Sequence, residues 1–110
     1  MSLTILAGAV VLGIGLLGWV RLAPSPPETW HVDPLEAAGT GTPNEVFVLP
    51  EGGARQAPVF DLSAPDLARR VDEMARARPR TSRLAGSPET GLMTFVQRSR
   101  WIGFPDYVTI

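Results

Sequence analysis

The sequence predicts a single N-terminal transmembrane α-helix followed by a small α+β extramembrane domain with one clear helix and about three to four strands. Three observations carry this expectation. The run from Leu3 to Val20 is apolar and holds no charged side chain. A punctuated amphipathic helix begins after Ser63. Short β-rich stretches at 45–49, 92–98 and 107–110 are bounded by glycine and proline. The expected organisation is an anchor over 1–22, a Pro/Gly-rich linker over 23–43 and an α+β domain over 44–110.

At about 1.5 Å per residue the N-terminal run covers roughly 27 Å, close to a hydrocarbon core of about 30 Å. A secretory signal peptide would show a basic n-region, a shorter apolar segment and a small-x-small cleavage site. Here Met1-Ser2 carries only the α-amine, and Trp19-Val20-Arg21-Leu22-Ala23-Pro24 offers no Ala-x-Ala, so an uncleaved anchor is expected. The α-amine and Arg21 nearly balance across the span. The two-residue tail favours an N-terminus in the cytoplasm and a periplasmic C-terminal domain, in a bacterial inner membrane. Trp19 and Trp30 suit the far interfacial belt, although Trp30 suits the core of the domain equally well. Thr4, Gly8, Val11, Gly15 and Gly18 fall within about 80° of one another on the helix surface. They form a smooth stripe that another transmembrane helix could approach closely, with a lipid-facing anchor as the plain alternative.

Ala23-Pro24-Ser25-Pro26-Pro27 reads as an extended spacer that lifts the domain from the membrane. Leu35 to Pro43 reads as loop, and Glu45 to Leu49 as a strand closed by Pro50 and the Glu51-Gly52-Gly53 turn. In the helix, Ser63 is the expected N-cap with Asp66 at the capping-box position. Leu67, Val71, Met74, Ala75 and Arg78 follow the helical stripe, Asp66–Arg70 and Asp72–Arg76 are spaced as i,i+4 ion pairs, and Pro79 stops the helix. Arg80 to Thr90 reads as polar loop, Leu92 to Arg98 as a strand, and Tyr107 to Ile110 as the start of another. Ending within an apolar β-like run suggests that the 110 residues belong to a longer protein.

Composition narrows the chemistry. The chain has no cysteine and a single histidine, His31, which removes disulfides, thiolate zinc sites and thiol nucleophiles, and leaves His31 unable to build a metal site or triad alone. Net charge is −1, and every basic side chain is arginine. Acids dominate from Leu22 to Asp66, where Arg55 is the one base, whereas Arg69, Arg70, Arg76, Arg78, Arg80, Arg83, Arg98 and Arg100 dominate beyond. The two halves either complement each other within one fold or present a basic face to anionic headgroups or an acidic partner.

Pro79-Arg80-Thr81, Leu84-Ala85-Gly86-Ser87, Val96-Gln97-Arg98-Ser99 and Gly103-Phe104-Pro105-Asp106-Tyr107 occur in this order, preceded by Trp30-His31-Val32-Asp33-Pro34. Over about Trp30 to Ile110 the chain resembles the bacterial envelope family known as domain of unknown function 1499. Phe104, Pro105, Asp106 and Tyr107 form the most specific block. The resemblance implies an N-terminal anchor, a small α+β domain and a longer C-terminus, and it implies no mechanism.

Arg76, Arg78, Arg80 and Arg83, with Arg98 and Arg100 alongside across a strand, are candidate anion-binding residues; the plain alternative is a solvated helix end with internal salt bridges. Asp106 could serve as a base or accept from Arg98 or Arg80, but a turn aspartate beside proline more often bonds its own backbone. Tyr107 suits a core position with a tethered hydroxyl. Asp72 and Glu73 diverge on their helix, and no phosphate loop, nucleophile elbow or metal cluster is present in sequence. The expectation is therefore no enzyme, no cofactor and no nucleic-acid partner. It is an accessory subunit packed on a helix of a larger membrane complex, respiratory or photosynthetic, or else an anchored module that binds an anion through arginine.

Overall fold

The structure, a computed structural model, describes residues 2–37 and 43–110. Its first element, α1 (Leu3–Leu22), has Ser2 as N-cap, whose hydroxyl accepts from the Ile5 amide at 3.4 Å. The helix closes where Ala23 donates to the Trp19 carbonyl at 2.7 Å and turns extended ahead of Pro24, since a residue before proline is pushed out of the α region. None of its residues is buried within the chain, and it is long and apolar enough to cross a membrane.

The stretch expected to be a free spacer is instead packed. After Pro24-Ser25-Pro26 the chain makes one helical turn, α2 (Pro27–Trp30), with proline at its start. It then lays Ser25, Trp30 and His31 against the sheet. Extended proline-rich backbone lacks internal hydrogen bonds, so its conformation is free to follow whatever its neighbours bond. The loop expected over Leu35 to Pro43 falls partly outside the described residues; Glu36 and Ala37 both donate to the Asp33 carbonyl in a turn. The expected strand over 45–49 is reduced to β1 (Val48–Leu49), paired in parallel with β2 (Arg55–Gln56). Gly53 permits this fold-back, because a Cβ there would lie 2.7 Å from the Phe47 carbonyl oxygen.

The next helix, α3 (Ala64–Arg76), begins as its punctuation dictates, with Ser63 accepting from the Asp66 amide. It ends at Arg76, so Arg78, expected on its apolar stripe, lies beyond it. Asp66 pairs with Arg69 rather than with Arg70, the i,i+3 spacing being as close on the helix surface as the i,i+4 one.

A three-stranded antiparallel sheet follows in the order β3 (Thr81–Ser87), β4 (Leu92–Arg98), β5 (Pro105–Thr109). The first of these corrects the expectation of a polar loop over Arg80 to Thr90. Thr81-Ser82-Arg83-Leu84-Ala85-Gly86-Ser87 has no clean alternation, and its strand identity comes from its ladder with β4, which shifts register between Arg83 and Ala85. Gly86 has φ +80°, and a Cβ there would strike the Leu92 carbonyl. In the β3–β4 turn the Thr90 hydroxyl bridges the Ser87 and Leu92 carbonyls at 2.9 and 3.0 Å.

Register divides the sheet into two faces. Phe95 opposite Arg83 and Val108, and Gln97 opposite Thr81 and Asp106, share the α3 face. Thr94 opposite Thr109, Val96 opposite Tyr107, and Arg98 opposite Pro105 share the other, which the 23–31 segment covers. Met93, Phe95 and Val96 form the apolar core. Asp72, 3% exposed, links α3 to the sheet, receiving Arg83 and Arg76 on its two oxygens at 2.8 Å each.

The ion pairs of α3 generate three stability predictions. Asp72→Asn leaves the half-buried Arg83 guanidinium without its counter-charge and is expected to cost about 2–3 kcal/mol in thermal unfolding of the full chain in micelles. Arg76→Ala, removing the more exposed partner, should cost under about 1 kcal/mol. The Ser63 hydroxyl, and after it the Arg69 guanidinium, hold the Asp66 carboxyl below its ordinary pKa. A depressed carboxyl contributes stability that is present above its unfolded pKa and lost as pH falls through the folded one. Stability should therefore decline on acidification below the ordinary carboxylate range, and Asp66→Asn should reduce that decline in a pH series of unfolding curves.

Candidate functional site

The densest set of long-range polar contacts lies where the end of α1 meets the side of β4 and β5 that faces away from α3. The last carbonyls of a helix have no intrahelical partner, and the macrodipole favours a cation beside them. Arg98, the final residue of β4, supplies both. One guanidinium nitrogen donates to the Val20 carbonyl at 3.0 Å and to the Gly103 carbonyl at 2.9 Å, and the other donates to the Ala23 carbonyl at 3.1 Å. Its backbone is fixed as well: the Arg98 amide donates to the Arg80 carbonyl and Arg80 Nε returns to the Arg98 carbonyl, each at 3.0 Å. Arg80 holds a left-handed backbone, φ 55°, at this crossing.

The β4–β5 loop closes the junction. Ser99 and Phe104 are joined across it by the Ser99 amide on the Phe104 carbonyl at 2.9 Å, and the Ser99 hydroxyl accepts from the Gly103 and Phe104 amides at 3.0 and 2.9 Å. This shape presses the loop on the last turn of α1. Arg21 donates to the Trp101 carbonyl, and a Cβ at Gly103, φ +82°, would lie 2.7 Å from Arg21 Cγ.

Higher on the same face, Tyr107 stacks on Trp30 with ring centroids 3.9 Å apart, and its hydroxyl meets the Ser25 hydroxyl at 2.6 Å. This places Trp30 against the domain, on its surface rather than in the core expected as one alternative, since it is 42% exposed. His31 Nδ1 contacts the Thr94 hydroxyl at 2.7 Å, which contacts the Thr109 hydroxyl at 2.8 Å, which donates to the Trp30 carbonyl at 3.4 Å. Donor counting then sets the direction of the chain. With Thr109 donating to the carbonyl, Thr94 donates to Thr109, and His31 donates from Nδ1. Thr94 is fully buried, and no buried side-chain polar atom among the described residues lacks a partner. The arrangement ties segments together; among the described residues no group of three or more acidic or histidine side chains is placed to hold a metal.

The candidate anion-binding arginines are dispersed. Arg76 and Arg83 meet on Asp72, Arg80 bonds the Arg98 backbone, and Arg98 serves α1 from the other face of the sheet. Of Arg76, Arg78, Arg80, Arg83 and Arg98, Arg78 is the one whose guanidinium bonds neither a side chain nor the backbone among the described residues, and it lines a groove of about 330 Å³ with Ala75, Phe95, Val108 and Ile110. The five do not converge on one point. Asp106 is exposed and shares the α3 face with Gln97, away from Arg98. Gly8, Gly13, Gly15 and Gly18 have open space where a Cβ would stand, so the α1 stripe meets nothing in the described chain. Thr4 on that stripe bonds the Ser2 hydroxyl at 3.1 Å, and Val11 is exposed.

Several junction residues had no signal in the sequence. Ser25 sat in a proline-rich stretch, Thr94 and Thr109 looked like ordinary strand threonines, and Trp101 lay in a segment without periodicity. Arg98 stands out in the sequence by its charge, and its role as a cap on a helix some eighty residues earlier depends on the fold. The chain matches no protein-family model, no curated protein and no solved structure.

Replacing Arg98 by Met keeps the stem and removes every guanidinium bond to α1. Hydrogen exchange at the Gly103 and Phe104 amides of the full chain in lipid nanodiscs is expected to accelerate roughly tenfold or more, equivalent to ~1.4 kcal/mol of local stability. Arg98→Lys should recover only part of it, because a point charge cannot span three carbonyls as a fork does.

Proposed function

We propose that this protein is a single-span accessory subunit of a bacterial inner-membrane complex, structural and without catalysis. In this reading its N-terminus is cytoplasmic and its α+β domain lies on the periplasmic face. The observation that carries the reading is an exposed apolar helix with an open glycine stripe, bonded directly to a small domain whose buried polar side chains, among the described residues, all have partners. A helix that packs by close backbone approach needs small residues on one side, and Gly8, Gly15 and Gly18 supply them. A domain bonded to the helix end holds a set position relative to whatever the helix packs on. Respiratory and photosynthetic assemblies are the proposed hosts. Kinship with the domain-of-unknown-function 1499 family is part of the same proposal. It is supported by contacts among the residues that carry the resemblance: Trp30 stacks on Tyr107, His31 lies against Gly86, Arg80 bonds the Arg98 carbonyl and Arg98 bonds the Gly103 carbonyl.

A second reading, an anchored module that binds an anionic headgroup or small anion, rests on Arg78 beside the α3–β5 groove. The two separate experimentally. In a mild-detergent pull-down of the tagged full chain from native membranes, one complex should co-purify in near-integral ratio. Gly8→Leu with Gly15→Leu should eject the protein from it, whereas Arg78→Ala should not. A chain that elutes alone, with anion binding lost on Arg78→Ala, would favour the second reading.

A further inference from the structure

We propose that the β4–β5 loop, Ser99 to Phe104, is a second membrane contact that seats in the headgroup–acyl boundary of the phospholipid bilayer beside the end of α1; the inference rests on α1 spanning that bilayer. The loop exposes three large apolar side chains in sequence, Trp101 at 76%, Ile102 at 40% and Phe104 at 55%. Its height is set by bonds rather than by chance. Arg21 holds the Trp101 carbonyl, Arg98 joins the Gly103 carbonyl to that of Val20, and Gly103 lies against the Arg21 side chain. The apolar run of α1 ends at Val20, so the loop stands level with the point where the helix leaves hydrocarbon.

The residue types agree with that level. Tryptophan and arginine gather at membrane interfaces, where an indole keeps its ring among the upper acyl chains and a guanidinium reaches phosphate. Arg100 sits over the Trp101 ring, 5.0 Å from its centroid, pairing a cation for phosphate with the ring that would sit below it. Trp19, at the end of the span, is also exposed, at 70%. Lipid is favoured over a protein partner because the loop is bonded to the end of the proposed span and because exposed arginines accompany the aromatic side chains.

The chain has three tryptophans, which makes the loop directly readable. Two variants of the full chain are reconstituted in phosphatidylcholine–phosphatidylglycerol vesicles. Trp19→Phe with Trp30→Phe leaves Trp101 as the sole fluorophore, and Trp30→Phe with Trp101→Phe leaves Trp19. Phenylalanine at position 30 retains a ring for Tyr107. Both fluorophores should be quenched by phospholipids brominated near the headgroup end of the acyl chain. Acrylamide should quench Trp101 with a constant about half, or less, of that for free tryptophanamide, as for a side chain buried ~5–10 Å into the boundary. If Trp19 is quenched by bromolipid while Trp101 is untouched and open to acrylamide, the loop proposal is overturned and the span stands, leaving the loop as a surface for protein. If Trp19 is not quenched, the span itself fails and the loop proposal falls with it.

Discussion

The fork of Arg98 is the constraint on which the arrangement of the chain depends. Helix α1 ends with carbonyls that must find donors, and β4 ends with a guanidinium that must find acceptors. The three bonds between them, to Val20, Ala23 and Gly103, join the first element, the linker and the last loop at one side chain. A lysine could neutralise the dipole, but its compact ammonium lacks the spread of donors with which the guanidinium meets three separate carbonyls. Everything near the junction adapts to this fixed point, including the left-handed Arg80 and the glycine at 103.

The sheet turns two different chemistries to its two sides. Toward α3 it presents Met93 and Phe95 with the buried Asp72–Arg83 pair, an apolar layer fastened by one ion pair. Toward the 23–31 segment it presents threonines, Tyr107 and Arg98, and the covering is made of hydrogen bonds and one aromatic stack. A proline-rich segment suits that second side, since its own backbone leaves carbonyls such as Ala23 available for donors from the sheet. The charge division of the sequence is partly resolved by this layering. Asp66, the last acid of the acidic half, takes Arg69 across the division, and Asp72 takes two arginines within the basic half.

Among the described residues the buried Asp72 and Thr94 are bonded to other side chains, as are His31 and Tyr107. What remains available for interaction is surface: the open stripe of α1, the groove beside Arg78 and the aromatic loop at the level of the helix end.

The sequence by itself determined the elements whose signal is local. Helix α1 follows from an uncharged apolar run, α3 from Ser63, a helical stripe and Pro79, and β4 from Leu92 to Arg98, because each is specified within a few residues of its own length. Strand β3 was illegible, since Thr81 to Ser87 becomes a strand only by pairing with β4, and the strand expected at 45–49 shrank because its ladder begins only at Val48. The junction was illegible for a related reason. Arg98 and Tyr107 stood out as residue types, yet nothing adjacent to them predicts bonds to Val20, Ser25 or Ala23, nearly the whole chain away. Only the tertiary structure decided that the proline-rich segment is a packed layer rather than a spacer, because hydrogen bonds between distant segments exist only once the chain has closed on itself.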